Sequence, residues 1–142
     1  MSTARPIEPL SAETIAPFGY LIAHPGGERF QVICSESDPV GWQIAVNRIA
    51  NRTVDQLACH PNTMESFEPV SGTAVLLLAS PDSPADWRAF ILDRPVCIRK
   101  GVWHATVTLS EESYVKITEN VHVEADFHPL GRSVQATLTP DA

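Results

Sequence analysis

Proline stands at twelve positions of this chain, against seven glycines, and that punctuation favours many short elements over long helices. The apolar runs between the breaks have strand character. Phe18–Ile22, Trp42–Val46, Thr53–Ala58, Trp87–Leu92, Val96–Arg99, Val102–Thr108 and Tyr114–Thr118 are each predicted as strands, with another at Val134–Leu138. Thr73–Ala79 is a continuous apolar run closed by Ser80-Pro81-Asp82-Ser83-Pro84, and its flanking turn residues favour a buried strand over a helix. One helical turn is predicted over Leu10–Ala16, capped by Ser11 and stopped by Pro17. The run from His24 to Gly41 reads as a loop holding a short strand at Phe30–Cys34. Many short strands at a spacing of roughly eight to twelve residues, with no long helix, predict an all-β fold. The expected architecture is a small β-barrel or double-sheet jelly roll formed by residues 1–142 as one domain.

Charge excludes one class of partner. The net charge is −7 and no Lys/Arg-rich run is present, so no nucleic-acid partner is expected. A small anionic substrate would need a local cationic pocket inside this acidic shell. Cys34, Cys59 and Cys97 are odd in number and form no CxxC, which argues against a disulfide framework or a zinc ribbon. The amino terminus shows no apolar signal region, and no stretch approaches the length of a membrane span. A reduced, cytoplasmic protein with no membrane partner is the expectation. The ending from Gln135 to Ala142 reads as a loose tail.

Two segments concentrate the chemistry. His60-Pro61 is followed by Glu65, with six residues between that glutamate and Gly72; Lys100-Gly101-Val102-Trp103-His104 places a glycine three positions before a histidine. Two imidazoles and a carboxylate converging in a barrel suit a first-row metal with open positions, or metal-free acid/base work near neutral pH. The plainer readings stand beside these. His60 is as well read as a strand-end histidine bonded to a backbone carbonyl, and Glu65 and Glu68 as solvated strand faces. Trp103 reads as core, Arg88 and Arg99 as surface strand residues, and His24, His122 and His128 as solvent-facing. Cys59 neighbours His60, but adjacent strand residues face opposite ways, so all three cysteines read as small core residues.

The spacing resembles the cupin family, whose first motif pairs two alternate histidines with a downstream glutamate and glycine. His60, Glu65 and Gly72 match the second histidine, the glutamate and the glycine; Ala58 stands where the first histidine would be. Gly101 and His104 match the Gly-x-x-His of the second motif. A narrower resemblance, spread from about residue 8 to residue 124, is to the ureidoglycolate lyase family, formerly called hydrolases. It is carried by Leu10-Ser11 through Phe18-Gly19, Asn47-Arg48, His60-Pro61 with Phe67 and Pro69, Gly72, Arg88-Ala89-Phe90 and Val102-Trp103-His104. Two positions depart from the family pattern: Ala58 replaces a carboxylate, and Ala105 the second of paired histidines.

The resemblance implies a cupin-like barrel, usually a homodimer, that releases urea from ureidoglycolate and leaves glyoxylate, late in purine (allantoin) breakdown. That elimination needs a base, an acid and a cation for the substrate carboxylate. The assignments are His104 as base or acid with His60 or Glu65 as its partner, and Arg48, Lys116 and Asn47 as substrate-binding residues. No cofactor is expected; a divalent metal, if one is bound, would sit on His60, Glu65 and His104. Two rival readings remain open: a non-catalytic barrel that binds a small acid, and a metal-dependent cupin isomerase or dioxygenase.

Overall fold

A computed structural model describes residues 4–140. Strand β1 (Ile7–Glu8), helix α1 (Ala12–Ile15) and β2 (Gly19–Leu21) precede a segment, residues 22–41, without strand or helix. Strands β3 (Trp42–Ile49), β4 (Thr53–Cys59), β5 (Glu65–Ser71) and β6 (Ala74–Ala79) follow, then a 3-10 turn at Pro84–Asp86. The chain continues through β7 (Arg88–Leu92), β8 (Val96–Ile98), β9 (Trp103–Thr108), β10 (Ser113–Asn120) and β11 (Asp126–Gln135). The expected all-β, double-sheet barrel is therefore what the chain forms. Helix α1 begins where Ser11 predicts: its hydroxyl accepts from the Thr14 N–H while Thr14 Oγ1 accepts from the Ser11 N–H.

Two sheets enclose the core. One has six strands in the order β1-β7-β6-β9-β4-β11, parallel only between β1 and β7. The other is an antiparallel sheet of five, β2-β8-β5-β10-β3. Strand β6 explains why residues 73–79 are apolar at both parities. Ala74, Leu76 and Leu78 turn into the space between the sheets, against Phe90, Phe67 and Ile117. Val75, Leu77 and Ala79 turn outward into a second apolar layer covered by Trp87, Trp103, Leu130 and Val134. Each fully buried Leu or Phe in these layers contributes about 1.5–3 kcal/mol over its exposed state. Next to the second layer lies a cavity of about 660 Å³, floored by Val75, Leu77 and Val107.

Two expected strands differ. Residues Phe30–Cys34 form none: Phe30 and Val32 are 84% and 66% exposed, so their apolar side chains have no sheet face to bury against. The last strand runs over Asp126–Gln135 rather than Val134–Leu138, where it pairs with β4 and is interrupted between Pro129 and Val134. Residues 136–140 are exposed and without strand, as a tail should be; Asp141 and Ala142 lie outside the described residues.

Candidate active site

Hydrogen bonds at the end of β4 set the first histidine. Beyond Cys59 the chain turns at Pro61-Asn62, and Asn62 ties that turn to the segment after β10. Its Nδ2 donates to His122 O at 2.8 Å and its Oδ1 accepts from the Glu124 N–H at 2.8 Å. Buried Thr63 accepts from the Asn120 N–H at 3.0 Å. The second histidine follows a turn at Gly101, whose φ of +80° suits glycine. The Gly101 N–H donates to His60 O at 3.0 Å, so one backbone bond joins the two motif segments.

The side chains meet inside the barrel. The rings of His60 and His104 lie 4.9 Å apart, and Phe67 packs against His104 at 5.4 Å. Glu65, first residue of β5, places Oε1 3.1 Å from His104 Nε2 and 3.7 Å from His60 Nε2. The three donor atoms all fall within 4.8 Å of one another. His60 Nδ1 faces the carbonyl of Glu124 at 2.9 Å and His104 Nδ1 that of Val102 at 3.5 Å. A carbonyl only accepts, so each ring carries a proton on Nδ1 and turns Nε2 toward Glu65. The plain reading of His60, a strand-end histidine bonded to a backbone carbonyl, is thus met.

Electrostatics make this a place that needs a positive charge. Burial, reinforced by the neighbouring Glu119 carboxylate, pushes the Glu65 carboxyl up to about 9. Burial, with the His60 ring beside it, holds His104 down to about 4. At neutral pH the pair is therefore a carboxylic acid and a neutral imidazole. Glu65 Oε1 is buried, yet no donor meets it with hydrogen-bond geometry. An orphaned carboxyl oxygen facing two imidazole Nε2 atoms needs a proton or a metal ion shared among them. Two imidazoles and one carboxylate with open positions fit a first-row divalent ion, and the carbonyls behind the rings supply the orientation such ligands need.

The substrate-binding residues assigned from sequence are not brought to this point. Lys116 lies on the face of β10 opposite buried Val115 and Ile117, and pairs with Glu68 at 3.6 Å. Arg48 is exposed, 3.7 Å from Glu112, and sits opposite Tyr114 on that outward face. Asn47, also exposed, is opposite Val115. The β3 residue level with the triad is Gln43, which faces Glu119, itself opposite Glu65. Arg48 is five residues further along, roughly 16 Å away. Among the described residues no arginine or lysine forms an ion pair with the triad.

Gln43 and Glu119 are the site residues that sequence reasoning missed. Gln43 Nε2 donates to Glu119 Oε2 at 3.0 Å. The signal was parity: Glu119 continues the inward series Val115, Ile117. Of the remaining residues, Glu68 takes the outer face and His24 and His122 are exposed, as expected. His128 is instead half-buried against Trp103, the ring centres 5.8 Å apart. Cys34 is half-buried rather than core. Ala58 stands in register with His104, so its small side chain leaves room beside the triad. Ala105 faces the outer apolar layer, so a histidine there would point away from it.

No protein-family model matches the chain. Ureidoglycolate lyases from two strains of Rhizobium etli are each 32% identical to it, over 69% of this chain and 72% of theirs. Among solved structures it is similar to an oxalate decarboxylase of Bacillus subtilis, with a TM-score of 0.48 and 18% identity over 64% of this chain. A procruciferin 11S globulin from Brassica napus gives 0.47 and 12% over 63%. The chain spans 24% and 22% of those two proteins.

Proposed function

The chain belongs to the ureidoglycolate lyase family, and on that premise we propose that it releases urea from ureidoglycolate, leaving glyoxylate, at His60, Glu65 and His104. The observation that carries this reading is the convergence of two imidazole Nε2 atoms and one orphaned carboxyl oxygen within 4.8 Å of one another in the barrel. The reacting carbon of ureidoglycolate bears a hydroxyl, a ureido group and a carboxylate. Elimination removes the hydroxyl proton as the carbonyl forms and delivers a proton to the departing nitrogen. Neutral His104 is the base for the first transfer, and the protonated Glu65 carboxyl is the acid for the second. His60 completes the polar wall on which the substrate is oriented. The reading places the reaction in cytoplasmic purine breakdown.

The same three residues would hold a divalent ion, and one observation favours that form of the site. With Arg48 and Lys116 turned outward, no arginine or lysine among the described residues is ion-paired with the triad to meet the substrate carboxylate. A bound ion would supply that positive charge and polarise the hydroxyl. Glu65 would then give up its proton as a ligand, leaving Glu119 as the adjacent carboxylate free to move protons. Urea release by the purified protein, measured before and after chelation with metal content followed in parallel, separates the two forms. Loss on chelation with recovery on metal return is expected for the metal form, and unchanged release for the proton-only form. Absence of urea release from every preparation, metal-loaded included, would overturn the lyase reading.

We also infer that a second copy covers the outer face of β3. Trp42, Ile44 and Val46 point outward there, 55–68% exposed, on a strand with one edge unpaired.

A further inference from the structure

The cavity of about 660 Å³ on the outer side of the six-stranded sheet shares no residue with the triad. Its floor is Val75 and Leu77 of β6 with Val107 of β9, which turn into the outer apolar layer while His104 turns inward to Glu65. Two cations border it. Arg5 is fixed in place: Nη1 donates to Trp87 O at 2.6 Å, Nη2 donates to Ala85 O at 3.0 Å, and the guanidinium lies 4.0 Å over the Trp87 ring. Arg132 belongs to the stretch of β11 where pairing with β4 lapses between Pro129 and Val134. Pro129 has no N–H to give to the ladder, and Gly131 takes a φ of +77°. The strand bulges there, so three consecutive residues, Arg132, Ser133 and Val134, all border the cavity.

Charge sets this cavity apart from the rest of the surface. The chain holds 17 acidic residues against 10 lysines and arginines, yet two arginines border the cavity and, among the described residues, no aspartate or glutamate does. Arg132 is exposed and forms no ion pair among the described residues. An apolar floor beside an unpaired guanidinium is complementary to a molecule with an apolar body and one anionic end. The volume is that of a small-ligand site, which spans roughly 300–1,000 Å³. We propose that this cavity is a second binding site, for a small amphipathic carboxylic acid whose apolar body rests on Val75, Leu77 and Val107 and whose carboxylate pairs with Arg132. Arg5, tied down by two carbonyls, adds positive potential without moving. A molecule as polar as ureidoglycolate has no apolar body to lay on this floor, so the triad and the outer cavity take different ligands.

The test is calorimetric titration of the full chain, and of Arg132→Glu and His104→Ala, with naphthalene-2-carboxylate and with its uncharged counterpart naphthalene-2-methanol. The full chain should bind the carboxylate saturably with a Kd below about 1 mM, and the alcohol about fivefold more weakly or worse. Arg132→Glu, a change at an exposed position, should keep the parent's circular dichroism and its affinity for the alcohol while losing about fivefold or more for the carboxylate. His104→Ala should bind both probes as the parent does. None of these readouts depends on urea release. Absence of saturable carboxylate binding, a smaller preference of the parent for the acid over the alcohol, or a smaller loss in Arg132→Glu would each overturn the proposal. So would binding abolished by His104→Ala, which would move the ligand to the triad.

Discussion

Glu65 and His104 shape the stability of the metal-free protein in opposite directions. The Glu65 carboxyl holds its proton up to about 9 in the fold, against 4.5 in an unfolded chain, so its stabilisation is complete below 4.5 and is lost as pH rises toward 9. His104 resists protonation down to about 4, against 6.5 unfolded, so its contribution is present above 6.5 and is lost as pH falls. The slopes offset each other between 4.5 and 6.5, and above 6.5 only that of Glu65 remains. Denaturant melts of chelator-treated protein should therefore show stability falling from pH 6.5 to pH 9. Glu65→Gln should abolish that decline. Both imidazoles and the carboxylate of this site were legible in the sequence because their residue types carry chemistry at recognisable spacing. Arg48 and Lys116 were not correctly placed, since a charged residue's type says nothing about which face of a strand it occupies. Glu119 and Gln43 were hidden for the same reason.

At the scale of elements, most strands were visible as apolar runs between turn residues, and β6 and β9 fall within a residue of their expected bounds. Strand β3 shows the limit of pattern alone. Its apolar parity, Trp42, Ile44 and Val46, would point inward in a protein with one buried face, yet these residues point outward and Gln43 and Asn47 take the inner side. The two motif glycines also prove unequal. At Gly72, φ is +76°, and an added Cβ would lie 2.3 Å from Glu112 O, in the turn joining β5 to β6. At Gly101 φ is similar but the nearest atom, on Pro81, is 3.6 Å away. Gly101→Ala should cost about 1 kcal/mol from backbone strain alone, and Gly72→Ala about 2 kcal/mol or more. Thermal melts of the two variants would check the ranking, and equal losses would argue against a close approach at Gly72.

The whole molecule is a barrel with one apolar outer layer covered by its own chain and another left bare. The six-stranded sheet carries Trp87, Trp103, Leu130 and Val134 over its outer face, whereas β3 has no such cover. Light scattering at micromolar concentration should give a dimer, and Ile44→Glu should shift it to monomer with its circular dichroism unchanged. A monomeric parent protein would remove the second copy. The fold class was legible at this scale because composition and punctuation exclude long helices; the bare face was not, because exposure is a property of assembled sheets. The central claim is chemical, and one comparison reaches it most directly: urea released from ureidoglycolate by the parent chain and by His104→Ala, prepared and metal-loaded alike. The account predicts steady release by the parent and a loss of about 100-fold or more in the variant. No release by the parent, or a variant within about threefold of it, would contradict the account.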